Sequence, residues 1–378
     1  MKRWVRKMLL ALVIGIVILS IGVGFYIRQP KFGTLPHGAR LESIRNSPNY
    51  ADGKFRNLMP TPQFSSGNNT ASVWWYFLFE KKERLIPTAS IPAVKTDLKS
   101  LDKGRDEVVW LGHSSYYIQL GGKRVLIDPV FSPSAAPVSF ANKAFAGTNQ
   151  YTAEDMPEID YLLISHDHWD HLDYPTIMAL KPKVKAVVCG LGVGSYFAEW
   201  GFEQKLVHEV DWFTALEFGD GFTVHVLPSR HFSGRLLTRN KTLWTGFALV
   251  TPERRIFYSG DGGYGPHFKQ IGEMLNGFDL AIMENGQYDR NWPYIHMMPE
   301  EAAQAAEDLK AKALLPGHSG KFSIANHPWD EPFKRITAAS ASRGYRLVTP
   351  MIGESVDLAN QQQLFSRWWE KVEHITAK

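Results

Sequence analysis

Residues Ile164 to Asp173 read "ISHDHWDHLD" and set three histidines and three aspartates directly behind the apolar run "DYLLI". Within this stretch lies the pattern H-x-H-x-D-H, made by His166, His168, Asp170 and His171. Side chains at i and i+2 of an extended backbone share a side, so His166 and His168 can grip one ion. A chain turning toward a helix then lets Asp170 and His171 face a second. Imidazole and carboxylate suit borderline divalent metals, and with no cysteine nearby the pattern points to an open catalytic centre rather than a closed structural one. A polar loop that merely ends a strand is the plainer reading, but four ligands at this spacing weigh against it.

Two metals need more than four ligands. The sequence offers them at similar places: His231 follows the strand-like "VHVLPS", Asp261 ends "RIFYSGD", and His318 ends "ALLPGH". Alone, each is weak, because a single histidine after a strand is more often a satisfied turn or core residue, and Asp261 could hydrogen-bond its own glycine-rich loop. Their shared position at strand ends is the argument. Backbone pairing stops there, loops diverge, and ligands gather.

The elements that must position these residues begin at Glu107, where short β-rich segments separated by turns replace an irregular N-terminal region. "EVVWLGHSSYYIQL" and "KRVLIDPVF" predict a hairpin closed by Gly121 and Gly122, which can take positive φ. Further strands are predicted at "DYLLIS", "KAVVCG", "FTVHVLPS", "TGFALV", "RRIFYSGD", "DLAIME" and "KALLPGHS". "YPTIMAL" and "PEEAAQAAEDLKA" read as helices, the second with Pro299 and two glutamates suited to a first turn. Strands with helices between them give a layered α/β domain.

The order of these motifs resembles the metallo-β-lactamase superfamily. "LGHSSYYIQLGGKRVLIDPVF", "PSRHFSGR", "YSGDGGYGPHF", "YIHMMPEEA" and "LPGHSGKF" further resemble its N-acylphosphatidylethanolamine-hydrolysing phospholipase D branch, over about Asn46 to Gly353. The resemblance implies a four-layer αββα sandwich with two Zn²⁺ ions, other divalent metals being possible, in the cleft between the sheets. By motif, His166, His168 and His231 would hold one ion, Asp170, His171 and His318 the other, and Asp261 would bridge them. The implied chemistry is hydrolysis by a water that the ions acidify, with no covalent intermediate. Asp170 and His296 are the candidate catalytic residues, His296 for phosphate contact or leaving-group protonation. His113 and Asp128 are candidates for supporting the ligands, and Tyr288, Arg290 and Trp292 for a pocket rim.

Three functions are carried forward. The first is a phosphodiesterase cleaving phospholipid-like substrates, the second a lactonase resembling the ascorbate-6-phosphate lactonase branch, and the third a non-catalytic envelope binding protein. Nucleic acid is not an expected partner. Net charge is +4, but Lys2, Arg3, Arg6, Lys7, Arg28 and Lys31 all precede the first acidic residue, and taking these six from the 42 Lys and Arg leaves 36 against 38 Asp and Glu. Cys189, the single cysteine, lies in an apolar run and permits no intrachain disulfide.

The basic N-terminus precedes an uncharged stretch from Met8 to Ile27, long enough as a helix to cross about 30 Å of hydrocarbon. Its length and the lack of a small-x-small cleavage site predict a retained single anchor. Four cations before it and two after it place the body outside the cytoplasm, in the periplasm if the cell is Gram-negative. The expected organisation is an anchor over residues 1–28, a linker and pre-domain wrap over 29–104, and the catalytic domain over 105–378. Within the wrap, the aromatic run from Trp74 to Phe79 reads either as an element packed on the domain or as an interfacial membrane contact.

Overall fold

Alternation along the strands decides the layers of this protein. The computed structural model describes residues 3–372 except 66, 81, 236 and 237. In strand β4 (Tyr116–Leu120) the residues Tyr116, Ile118 and Leu120 turn to one buried cluster while Tyr117 turns to another; in β5 (Lys123–Ile127) Val125 and Ile127 part from Leu126 in the same way. The sheet is therefore apolar on both faces, and each must be covered.

Ahead of it stand α1 (Arg3–Tyr26), α2 (Gly38–Arg45), the small hairpin β1 (Tyr50–Ala51) and β2 (Lys54–Phe55), and α3 (Thr70–Phe79). The first large sheet joins β3 (Glu107–Trp110), β4, β5, β6 (Ile159–Ile164), β7 (Val184–Gly190), β8 (Val207–Val210) and β16 (Ser355–Asp357) in the order β16-β3-β4-β5-β6-β7-β8. The second has seven strands as well: β9 (Thr214–Glu217), β10 (Thr223–Pro228), β11 (Thr245–Val250), β12 (Arg255–Tyr258), β13 (Leu280–Glu284), β14 (Ala313–Gly317) and β15 (Arg346–Leu347), ordered β15-β14-β13-β12-β11-β10-β9. Between the sheets, Val108, Ile118 and Ile127 of one meet Val226, Phe247 and Ile282 of the other in a single cluster. Outside the first sheet lie α4 (Tyr174–Leu180) and α5 (Gly194–Glu199), through Ile177, Leu180 and Phe197. Outside the second lie α6 (His267–Met274), α7 (Pro299–Asp308) and α8 (Glu331–Ser340), through Phe268, Ile271, Ala302 and Ile336. The result is the four-layer αββα sandwich.

Every strand and helix predicted above is present, with one change of outline. "EVVWLGHSSYYIQL" is two antiparallel strands, β3 and β4, because the chain reverses at Gly112, φ 94°, and His113, φ 55°. The β4–β5 turn is the predicted one, with Gly121 at φ 54° and Gly122 at φ 72° between paired Leu120 and Lys123. The region expected as linker and wrap, 29–104, contains α2 and α3. Asn69 caps α3 reciprocally with Ser72, a polar signal that the aromatic run obscures.

The chain after β14 is pinned from within. Buried Lys321 donates from Nζ to Val130 O at 2.8 Å, and its carbonyl accepts from Phe145 N at 2.8 Å. Burial pushes its ammonium from 10.5 down to about 7. The unfolded chain keeps that proton up to ~10.4, so between pH 7 and ~10 the unfolded state binds one proton more and stability rises with pH. Lys321→Met removes this slope. Its melting temperature relative to wild type is expected to be most favourable at pH 7 and below, and to lose that advantage toward pH 10; a difference constant over this range in thermal scans would contradict the burial argument.

Candidate metal centre

Strand direction collects the ligands on one edge. β5, β6 and β7 run parallel, and β3 shares their direction through antiparallel β4; β12, β13 and β14 run parallel, and β10 shares theirs through β11. The chain therefore leaves β3 at His113, β5 at Asp128, β6 at His166, β10 at His231, β12 at Asp261, β13 at Glu284 and β14 at His318. Both sheets present these ends to the same cleft.

The seven expected ligands converge there. His166 Nε2 lies 2.8 Å from His168 Nδ1, which lies 3.2 Å from His231 Nε2. Asp261 Oδ2 stands 3.8 Å from His166 Nε2, 3.8 Å from His231 Nε2 and 3.1 Å from His171 Nε2. Its Oδ1 lies 2.8 Å from His318 Nδ1. Two four-residue ligand groups result: His166, His168, His231 and Asp261 form one, while Asp170, His171 and His318 form the other together with His113, whose Nε2 lies 2.9 Å from Asp170 Oδ2; a third group, Asp261, His296 and His318, overlaps them. His113, expected to support the ligands, thus stands among them. Asp261 reaches across to both groups.

Hydrogen bonds fix which nitrogen each ring offers. His231 donates from Nδ1 to Ile295 O at 2.8 Å, and His171 donates from Nδ1 to Asp128 Oδ2 at 2.8 Å. Ser165 Oγ donates to Asp128 and so accepts from His166 Nδ1 at 2.9 Å. Each ring is left with Nε2 aimed at the centre. Asp128 also accepts from Ser165 N and from Tyr258 OH, making it the hub of the wall behind the site. The other two aspartates of the opening stretch serve the loop. Asp167 accepts from Gly234 N, Tyr196 OH and Thr242 Oγ1, and Asp173 from Ser132 and Thr176.

Burial pushes His166 and His231 well down, His168 to about 4 and His318 to about 3, so these imidazoles keep free lone pairs at neutral pH. For His171 burial works the other way from the net result: the carboxylates of Asp261, Asp170 and Asp128 outweigh it and hold the ring well above its usual range. Burial likewise opposes ionisation of Asp261 and Asp170, yet the neighbouring histidines keep both well below the usual carboxylate range. Two ionised carboxylates in a buried space call for positive charge. Buried His171 Nε2 and Asp261 Oδ1 make no hydrogen bond of acceptable geometry despite their close neighbours, as atoms suited to a shared cation would. The donor set of imidazoles and carboxylates fits borderline divalent metals.

Strain accompanies this order. His113, Asp128, Gln287 and His318 all hold positive φ, between 41° and 58°, in the loops around the cleft.

Residues 123–319 match the family model described as the beta-lactamase superfamily domain. The chain belongs to the metallo-β-lactamase superfamily. It is 36% identical over 359 residues to an uncharacterized protein of Mycobacterium tuberculosis, an alignment covering 93% of this chain and 96% of the relative. It is 31% identical over 263 residues to N-acyl-phosphatidylethanolamine-hydrolyzing phospholipase D 1 of Caenorhabditis elegans, covering 65% and 74%. Among solved structures, Igni18, a metallo hydrolase from Ignicoccus hospitalis, superposes with a TM-score of 0.51 at 20% identity, covering 66% of this chain and 97% of that one, a likeness of fold. Superfamily membership makes the protein a metal-dependent hydrolase and agrees with its phospholipase D-like motifs.

The site opens to a cavity of about 420 Å³. His168, Asp170, Asp261, His296 and His318 form its polar floor, and Phe64, Val73, Trp169, Phe232, Ile295 and Ile324 much of its wall. His296 sits beside the ligand rings, 5.0 Å from His231 and 5.3 Å from His318 between centroids. Its Nδ1 donates to buried Glu284, which sequence reasoning missed although it ends β13 as Asp261 ends β12. Of the expected rim, Trp292 lines the cavity. Tyr288 instead bonds Glu331 and stacks on His327, and Arg290 pairs with Glu80 and covers Tyr76, fastening α3 to the domain. Arg235, quoted above within "PSRHFSGR", is buried and donates to the carbonyls of Asp167, Leu172 and Lys31.

Asp128→Asn keeps the shape of the hub but removes charge and acceptor capacity behind His171 and Ser165. Divalent-metal affinity is expected to fall ~10–100-fold, read by competition with a chromophoric chelator; wild-type affinity would show that Asp128 does not orient the ligands.

Proposed function

We propose that the protein is a membrane-anchored phosphodiesterase with a dinuclear metal centre, hydrolysing phospholipid-like substrates. The observation that carries this reading is one carboxylate, Asp261, which belongs to one four-residue ligand group and reaches the histidines of the other at the floor of an apolar cavity. His166, His168 and His231 would hold one Zn²⁺, Asp170, His171 and His318 the other, and Asp261 would bridge. When bound, such a pair supplies Lewis acidity and lowers the pKa of a water. Similarity to the C. elegans phospholipase D supports a lipid substrate, and the apolar α1, none of whose residues is buried, supports the anchor.

The chain's own residues do the rest. Apolar walls at Phe64, Phe232, Ile295 and Ile324 take up acyl chains and exclude bulk water. Arg239 lines the same cavity and supplies a cation for the phosphodiester's negative charge. Water adds to phosphorus, the phosphorus–oxygen bond to the leaving alcohol breaks, and the departing oxygen needs a proton. His296 would give it from Nε2, since Glu284 engages Nδ1 and the residue lines the cavity. Asp170 holds His113 and His171 in register around the reacting group.

Incubating a membrane-lipid extract with full-length protein and with His168→Ala, followed by lipid mass spectrometry, tests the assignment. Phosphatidate-type products are expected with wild type and only protein-free background with the variant. Equal product levels would remove the phospholipase reading.

A further inference from the structure

The end of α1 is fastened to the wall of the catalytic cavity. Tyr26 meets Phe32 edge to face with centroids 5.6 Å apart, and Phe32 meets Trp169 in the same way at 5.2 Å. Trp169 lies inside the H-x-H-x-D-H motif and lines the cavity. Arg235 clamps this joint, with its guanidinium 3.8 Å from the Trp169 ring and a bond of 2.9 Å to Lys31 O. Two aromatic contacts therefore separate the last turn of an apolar helix from the active-site loop. If α1 lies in a bilayer, the cavity cannot be far from its surface.

Two more features lie at the same mouth. Tyr26 OH and Lys31 Nζ donate to Pro137 O at 2.6 and 2.8 Å. The loop that carries Pro137 lines the cavity with Ala135 and Asn142 and exposes 77% of Phe140. On α3, Val73 lines the cavity, whereas Trp75 and Phe79, one turn apart with rings 4.4 Å from each other, are 67% and 65% exposed. Large aromatics left in water beside a cavity mouth mark an interaction surface. A tyrosine and a lysine at the end of an apolar helix are the side chains that sit at a bilayer's polar boundary. Continuity with that boundary selects the occupant.

We propose that Trp75, Phe79 and Phe140 insert into the same leaflet that holds α1, so that the catalytic cavity opens onto the bilayer and takes its substrate laterally from it. The inference rests on the membrane-anchored reading above and adds a defined docking face to it. Substrate then leaves the leaflet without crossing water, which matters because every acyl CH₂ exposed to water on the way would add to the barrier.

Depth measurements on the full chain test this without turnover. Cys189 is fully buried, so a nitroxide can be placed singly by Phe79→Cys, Phe140→Cys or, as a control at a residue 90% exposed, Leu364→Cys. In proteoliposomes of phosphatidylethanolamine and phosphatidylglycerol, labels at 79 and 140 should be relaxed by oxygen more than by a water-soluble nickel complex, and the label at 364 the reverse. Water-like behaviour at 79 and 140, or shielding from both relaxants as in a protein contact, would overturn the proposal. Turnover supplies a second arm: Phe79→Glu with Phe140→Glu should slow hydrolysis of bilayer phospholipid ~10-fold or more while sparing a soluble short-chain phosphodiester. Unchanged bilayer turnover would contradict lateral entry. A wild type that cleaves neither substrate would sink the phospholipase reading, and label depth would still decide the docking face.

Discussion

The constraint on which the site depends is the burial of negative charge at Asp261. Its side chain is 2% exposed, and Asp170 lies close by across His171. Removing carboxylates from water is costly unless cations or donors replace the lost solvation. His171, held cationic by its carboxylate neighbours, answers part of that demand 3.1 Å from Asp261. A bound metal cation would answer the rest, and His166 and His231 are arranged to suit it: each is held neutral by burial, with Nδ1 committed to the wall and Nε2 presented inward.

Holding that arrangement falls to the sandwich. The candidate ligands come from the ends of five strands in two sheets, so the inter-sheet cluster that locks the sheets also sets the distances across the cleft. Asp128 carries the same logic to the level of single atoms. Its carboxylate binds the Ser165 backbone, the Ser165 hydroxyl, His171 and Tyr258, tying β5, β6 and β12 into one wall. Positive φ at His113, Asp128 and His318 is the local cost of turning those side chains toward the centre, and dense packing around them keeps it in place.

Much of this was legible in the sequence. H-x-H-x-D-H names its own chemistry, and "YYIQL" and "KRVLI" about Gly121 and Gly122 mark the two strands of a hairpin. His231, Asp261 and His318 could be selected because each follows a β-rich run. What stayed hidden was set by tertiary contact. His113, singled out as a support for the ligands, takes its place among them only once β3 and β6 share one sheet, and Glu284 is one glutamate among many until His296 is brought to it. Arg290 sits beside Trp292 in sequence yet turns away, since direction around a loop is not encoded in spacing. In α3 the aromatic run masks the helical period, and its Asn69–Ser72 cap is the one local signal that separates helix from strand.

Metal content of the full-length protein tests the central claim most directly. After equilibration with zinc and removal of loose ions, elemental analysis should find two ions per wild-type chain, with marked loss at both positions in Asp261→Ala because that carboxylate serves both groups. A wild-type chain that retains no zinc, or an Asp261→Ala variant that retains the full pair, would contradict the account.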